Sequence, residues 1–180
     1  MNIKKIIFKS IFIFSLVFFT ACSENTTTYD LVTDGTNNGV ALKTIENTAD
    51  LSITNPAART MFKVSVIDPL LGDDTKEVKV YARIQTASAI IFDEVLVATI
   101  PNAAFERGGQ YPTVTFSASK ADIEGYFNTT ITATQARRVR LRLEAITNDG
   151  RLYTNTNANG VVRTGSFFKS PFEYSYPFKP

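Results

Sequence analysis

Beyond about residue 37 the sequence predicts an all-β fold, an antiparallel sandwich carrying one short helix. Three observations predict it: short segments in which apolar and polar residues alternate, turn-forming runs that separate them at hairpin spacing, and a single stretch with helix-start chemistry. Alternation with a period of two is what a strand shows when one face meets a core and the other meets water. In chain order, Leu51 to Ile53 forms a short strand, and Phe62, Val64 and Val66 alternate with Lys63 and Ser65 in the next. The run Asp68-Pro69-Leu70-Leu71-Gly72-Asp73-Asp74 turns the chain into a third strand, where Val78, Val80, Ala82 and Ile84 alternate with Lys79, Tyr81, Arg83 and Gln85. Val95 to Ile100 and Val114 to Phe116 follow, separated by the turn signal Arg107-Gly108-Gly109-Gln110.

Ser119 followed by Asp122 has the chemistry of an N-cap with an acid in the first turn, which predicts a helix over Lys120 to Phe127. Ile123, Tyr126 and Phe127 would face inward, and the helix would cross between sheets. Val139, Leu141, Leu143 and Ala145 then alternate with Arg138, Arg140, Arg142 and Glu144. Asn148-Asp149-Gly150 is a hairpin signal, because Asp-Gly takes the positive dihedrals of a tight turn, and it leads into Arg151 to Thr154. Phe167 to Phe178 closes the series. Seven or eight such strands favour an immunoglobulin-like arrangement, without the Cys and Trp markers of antibody domains. Residues 38–180 then make one domain of ordinary size.

The last segment supports two readings. Phe168, Phe172, Tyr174, Tyr176 and Phe178 share one parity, which suits a strand that seals the core. The other reading is a platform for sugar rings, with Tyr111, Tyr153 and Tyr176 stacking from loops or edges.

Composition excludes several chemistries. The chain has no histidine, no tryptophan and one cysteine, Cys22, so Ser-His-Asp and Cys-His catalysis and any His or Cys metal site are ruled out. Asp73, Asp74, Asp93 and Glu94 are the acids a carboxylate-pair enzyme would need. The first two sit in a turn, and neighbours on a strand point to opposite faces. Asn148, Asp149, Asn155, Asn157 and Asn159 offer oxygen ligands but lack the dense acidic spacing of a calcium loop, and turn chemistry accounts for them. No catalytic residue, metal or cofactor is expected, and the chain reads as a non-enzyme.

The binding candidates are Arg138, Arg140 and Arg142, which share one strand face at intervals of about 7 Å. Guanidinium forks pair with carboxylates and phosphates in two-point geometry, so an acidic ligand or partner would fit. Tyr81 and Arg83 would extend the row if their strand is a neighbour, and Tyr153 is a further ligand candidate. The alternative is a solvated sheet face balanced by acids on an adjacent strand.

The first 21 residues have the layout of an export signal: a charged start (Lys4, Lys5, Lys9), an apolar run from Ile11 to Phe19, and Ala21 before Cys22. The run is too short to span a bilayer. Phe19-Thr20-Ala21-Cys22 resembles a bacterial lipoprotein signal, departing from it at Phe19, where an aliphatic residue is preferred. That resemblance implies lipidation of the Cys22 sulfur and cleavage before it. Two or more acyl chains hold a protein firmly to a membrane. Ser23 stands where an aspartate marks inner-membrane retention in some bacteria, so the resemblance implies the outer membrane. Glu24 is a partial match to the acidic cluster of surface-displayed lipoproteins, and which face the protein occupies stays open. Residues 22–37 read as a polar, turn-rich flexible tether. Removing residues 1–21 takes three of the 19 basic residues and none of the 17 acidic ones, changing the formal charge from +2 to −1. A near-neutral domain lacks the basic field that nucleic-acid binding requires.

From about Val114 to Tyr174 the chain resembles lipoproteins of Bacteroidota encoded beside SusC/SusD-type nutrient-uptake systems. The residues that carry the likeness are Phe116-Ser117-Ala118-Ser119, the strand Val139 to Ile146, Asp149-Gly150-Arg151-Leu152-Tyr153, Asn155 to Gly160, and Ser170-Pro171-Phe172-Glu173-Tyr174. The resemblance implies an outer-membrane lipoprotein with an immunoglobulin-like domain that assists capture of glycans or other nutrients, with a SusC/SusD-type transporter complex as partner. A structural or adhesive surface protein that binds another envelope protein is the alternative.

Overall fold

The structure is a computed structural model and describes residues 39–132 and 137–180. The leader, Cys22 and the tether lie outside the described residues. Among the described residues, eight strands and two α-helices follow in the order β1 (Ala41–Thr48), β2 (Arg59–Ile67), β3 (Thr75–Gln85), β4 (Ile90–Pro101), β5 (Thr113–Ser119), α1 (Lys120–Phe127), β6 (Arg138–Thr147), β7 (Leu152–Tyr153), α2 (Gly160–Thr164) and β8 (Glu173–Pro177). One sheet has the order β1-β2-β5, and the other β4-β3-β6. β7 and β8 both pair with β6, at opposite ends of its length, and all the pairings are antiparallel. The architecture is an antiparallel immunoglobulin-like β-sandwich.

Period-two patterning builds it. Phe62, Val64 and Val66 on β2 and Val114, Phe116 and Ala118 on β5 are buried, as are Val78, Val80, Ala82 and Ile84 on β3 and Val139, Leu141, Leu143 and Ala145 on β6. These residues form one core. Full burial of each large apolar side chain contributes about 1.5–3 kcal/mol. Aromatic rings run across the core: Phe62 stacks on Phe116 at 5.6 Å and on Tyr174 at 5.0 Å, and Tyr174 stacks on Tyr176 at 6.3 Å. Each tyrosine finds a polar partner, Tyr174 Oη on Thr44 Oγ1 at 2.7 Å and Tyr176 Oη donating to Asn47 Oδ1 at 2.7 Å. The last strand therefore seals the core, and Tyr176, 1% exposed, is no platform for a ligand.

α1 occupies the residues its cap signal predicts. Ser119 Oγ accepts from Asp122 N while the Asp122 carboxylate accepts from Ser119 N, a reciprocal capping box. The helix joins β5 of one sheet to β6 of the other, buries Ile123 completely, and sets Phe127 against Phe92 at 5.7 Å.

Other boundaries differ from the sequence expectation. Leu51 to Ile53 reduces to a single parallel bridge, Ser52 with Lys179. Phe167 to Phe178 forms a strand only over Glu173–Pro177, because Lys169 and Phe172 take positive φ (43° and 54°). β1 carries no alternating signature, since a bulge at Ile45 breaks its period and its second half is exposed. β4 starts five residues before Val95, behind two bulges. The single expected helix is joined by a second, α2, capped by Asn159 Oδ1 accepting from Val161 N at 2.7 Å.

Two glycines are fixed by geometry. Gly150 turns the β6–β7 hairpin at φ 86°. Gly72 sits at φ 94°, where an added Cβ would fall 2.1 Å from Pro112 Cγ. The turn holding Gly72 is organised by Asp68, a fully buried carboxylate that accepts from the backbone N–H groups of Leu70, Gly72 and Thr75 and from Thr75 Oγ1.

Candidate functional site: the arginine face

β3 and β6 are neighbours, and their register brings Tyr81 opposite Arg142, Arg83 opposite Arg140, and Gln85 opposite Arg138. Five of the six candidate residues thus gather on the outer face of the larger sheet. Tyr153 does not join them. It pairs with Ala145, whose side chain is buried, so its ring turns inward against the core. Burial raises its phenol above the usual range.

The row divides into two electrostatic environments. At one end Arg142 is saturated: Nε donates to both Glu94 oxygens at 3.0 Å, Nη2 to Glu94 at 2.6 Å, and Nη1 to Glu144 at 2.6 Å. Its guanidinium carbon lies 4.5 Å from the centroid of the Tyr81 ring. The Glu94 hydrogen bonds, with Glu144 adding to them, hold Arg142 above its ordinary value. This end is the balanced face that the alternative reading anticipates.

The other end is short of acids. Arg140 pairs with Glu173, which also accepts from Asn155 Nδ2 at 2.7 Å. Directly across the strand boundary stands Arg83, whose Nε is buried with no hydrogen-bond partner. Among the described residues no ion pair reaches Arg83 or Arg138. On the β4 side Arg83 meets a bulge, where Asp93 and Glu94 together oppose one residue, and Glu94 is committed to Arg142. Burial, then the nearby charges of Arg83 and Arg138, hold Arg140 below its ordinary value. Arg137, next to this row but on the opposite parity, has Nε and Nη1 buried without partners. Sequence reasoning passed over Arg137 because its parity is that of core residues.

What this arrangement offers chemically is a set of guanidinium donors already partly dehydrated and mutually repelling. An oxyanion placed among them would relieve both penalties. The acids considered for catalysis are dispersed: Asp73 pairs with Arg107 at 2.9 Å, Asp74 approaches Arg151 at 3.8 Å, and Glu94 faces Arg142. The asparagines serve turns, with Asn157 Oδ1 accepting from Thr154 N at 2.8 Å.

No family model and no curated protein matches the chain. Among solved structures it is similar to murine CRIg, with a TM-score of 0.34 and 11% identity over 78% of this chain and 97% of that one.

Proposed function

We propose that this protein is a non-enzymatic binding or accessory lipoprotein of the outer membrane, anchored through Cys22 and serving a SusC/SusD-type nutrient-uptake complex. The observation that carries the binding role is the cluster of Arg83, Arg138 and Arg140, in which, among the described residues, Glu173 is the one paired acid. A cationic surface of this kind selects ligands or partner proteins that present carboxylates or phosphates. The leader pattern and the C-terminal motif order support the envelope address and the uptake role.

Two experiments test the proposal. Wild type should fractionate with the outer membrane and carry an acyl mass on its first residue. The Cys22→Ala variant should lose both, and an unmodified, membrane-bound variant would sink the anchor. Pull-down from membranes should recover transporter components with wild type and lose them with Arg140→Ala. Equal recovery would remove the arginine face from the reading.

The exposed edge of β4 favours a second reading, a structural or adhesive surface protein. β4 ends the larger sheet, with Ile90 and Leu96 more than half exposed. An open edge of this kind accepts a strand from another chain. Stoichiometric recovery of an envelope protein other than a transporter would favour it.

A further inference from the structure

A cleft of about 440 Å³ lies between β8 and β1, with Arg163, Lys169 and Pro171 also on its walls and no residue of β6 lining it. We infer that this cleft binds an extended acidic peptide of a partner protein, which adds as a strand to the edge of β8 and sets its carboxylates against Lys169 and Arg163.

The first support is the direction of the main chain. Leu143 N donates to Phe172 O at 2.8 Å and Phe178 N to Arg137 O at 3.1 Å, so the hydrogen-bonded pairs of the β6–β8 ladder fall on Phe172, Tyr174, Tyr176 and Phe178. Glu173 and Ser175, which line the cleft, therefore turn their N–H and C=O groups away from β6. Among the described residues no strand pairs with β8 on that side. Donors and acceptors that recur about every 7 Å along an edge are what another extended main chain matches. This ladder also runs without a bulge, whereas β4, at the opposite end of the sheet, is interrupted by bulges that blunt its edge. A second copy of β8 is a poor occupant, because antiparallel pairing about Ser175 would set Glu173 against Pro177, which has no N–H to give.

The second support is charge. The main chain at Lys169 is pinned to β1: Thr44 N and Thr44 Oγ1 both donate to Lys169 O, at 3.1 and 2.9 Å, and Leu42 N donates to the buried Ser170 Oγ at 2.7 Å. Among the described residues the Lys169 ammonium has no ion pair or hydrogen bond. Arg163 donates Nη1 to Asn155 O at 2.8 Å and keeps Nε and Nη2 for a ligand. Glu173 is the one acid lining the cleft, and its carboxylate is already engaged by Arg140 and by Asn155 Nδ2 at 2.7 Å. Two cations with uncommitted donors beside an open strand edge select carboxylates carried on an extended chain.

The test is an NMR titration of the full chain with the synthetic peptide Ac-Thr-Asp-Val-Asp-Thr-NH2. It needs neither membrane nor transporter, so its outcome is separate from that of the fractionation and pull-down experiments. The peptide should move the Glu173 and Ser175 amides saturably, with a dissociation constant of about 1 mM. A strand turns only every other N–H toward its neighbour, so of two versions N-methylated on alternate residues one should lose binding and the other keep it. Replacing both aspartates of the peptide by lysine should weaken binding about tenfold, and Lys169→Gln combined with Arg163→Gln about fivefold. Silence of the Ser175 amide at about 10 mM peptide, equal binding by the two N-methylated versions, or equal binding of the lysine peptide would each overturn the assignment.

Discussion

Arg140 and Arg142 are the same residue type, two positions apart on one face of one strand, and the fold gives them opposite surroundings. Arg142 has carboxylates on two sides and an aromatic ring beneath it. Arg140 shares a single acid and faces another arginine. The difference comes from the neighbours: β4 delivers Glu94 to one position, and the adjoining register places Arg83 beside the other. A periodic row of like residues therefore spans two environments, one in which carboxylates saturate the guanidinium and one in which guanidinium groups outnumber the acids.

The largest change expected on β6 comes from its inner side, which sets the scale for the outer one. Leu141→Ala should cost about 2–5 kcal/mol in urea unfolding, the usual range for emptying a packed core site. Arg142→Met should cost about 1–3 kcal/mol, because Glu94 and Glu144 lose their shared cation while remaining partly buried. A variant as stable as wild type would erase the contrast between the two arginines.

Asp122 calibrates a third situation, a carboxylate held mainly by a backbone N–H. Ser119 N donates to it at 2.8 Å and lowers its pKa, with Ser119 Oγ and Arg59 adding to the effect. A carboxylate with a depressed folded pKa contributes stability above its unfolded value, near pH 4, and loses it as pH falls through the folded value. Asp122→Asn should thus be less stable than wild type at pH 7 by under about 1 kcal/mol, with the gap closing below pH 4 in acid titrations. The smallest effect belongs to Arg140→Ala. Relief of repulsion from Arg83 and Arg138 should offset the lost Glu173 pair, leaving stability within about 0.5 kcal/mol of wild type. A loss as large as that of Arg142→Met would show that the two positions do the same job.

The sequence disclosed what depends on local period and caps, and concealed what depends on register. β2 and β6 alternate along their buried faces, β3 does so from Val78 onward, and α1 begins at its own capping box. β1 and β4 were obscured by bulges, which shift the parity that a pattern search follows. The arginine row was visible as a face, yet its division was not, because Glu94 and Glu173 come from segments distant in the chain. Tyr153 looked like a surface ligand group until its pairing with Ala145 set its direction.

The closing strand has a consequence for how the molecule is made. Phe172, Tyr174, Tyr176 and Phe178 fill the core beside β6, and Lys179 ties back to Leu51 and Ile53 near the start of the domain. A nascent chain halted at Pro171 would hold most of both sheets with their shared interior still open to water. Closure of the core waits on residues 172–179, so the domain gains its full cooperativity only when that segment docks.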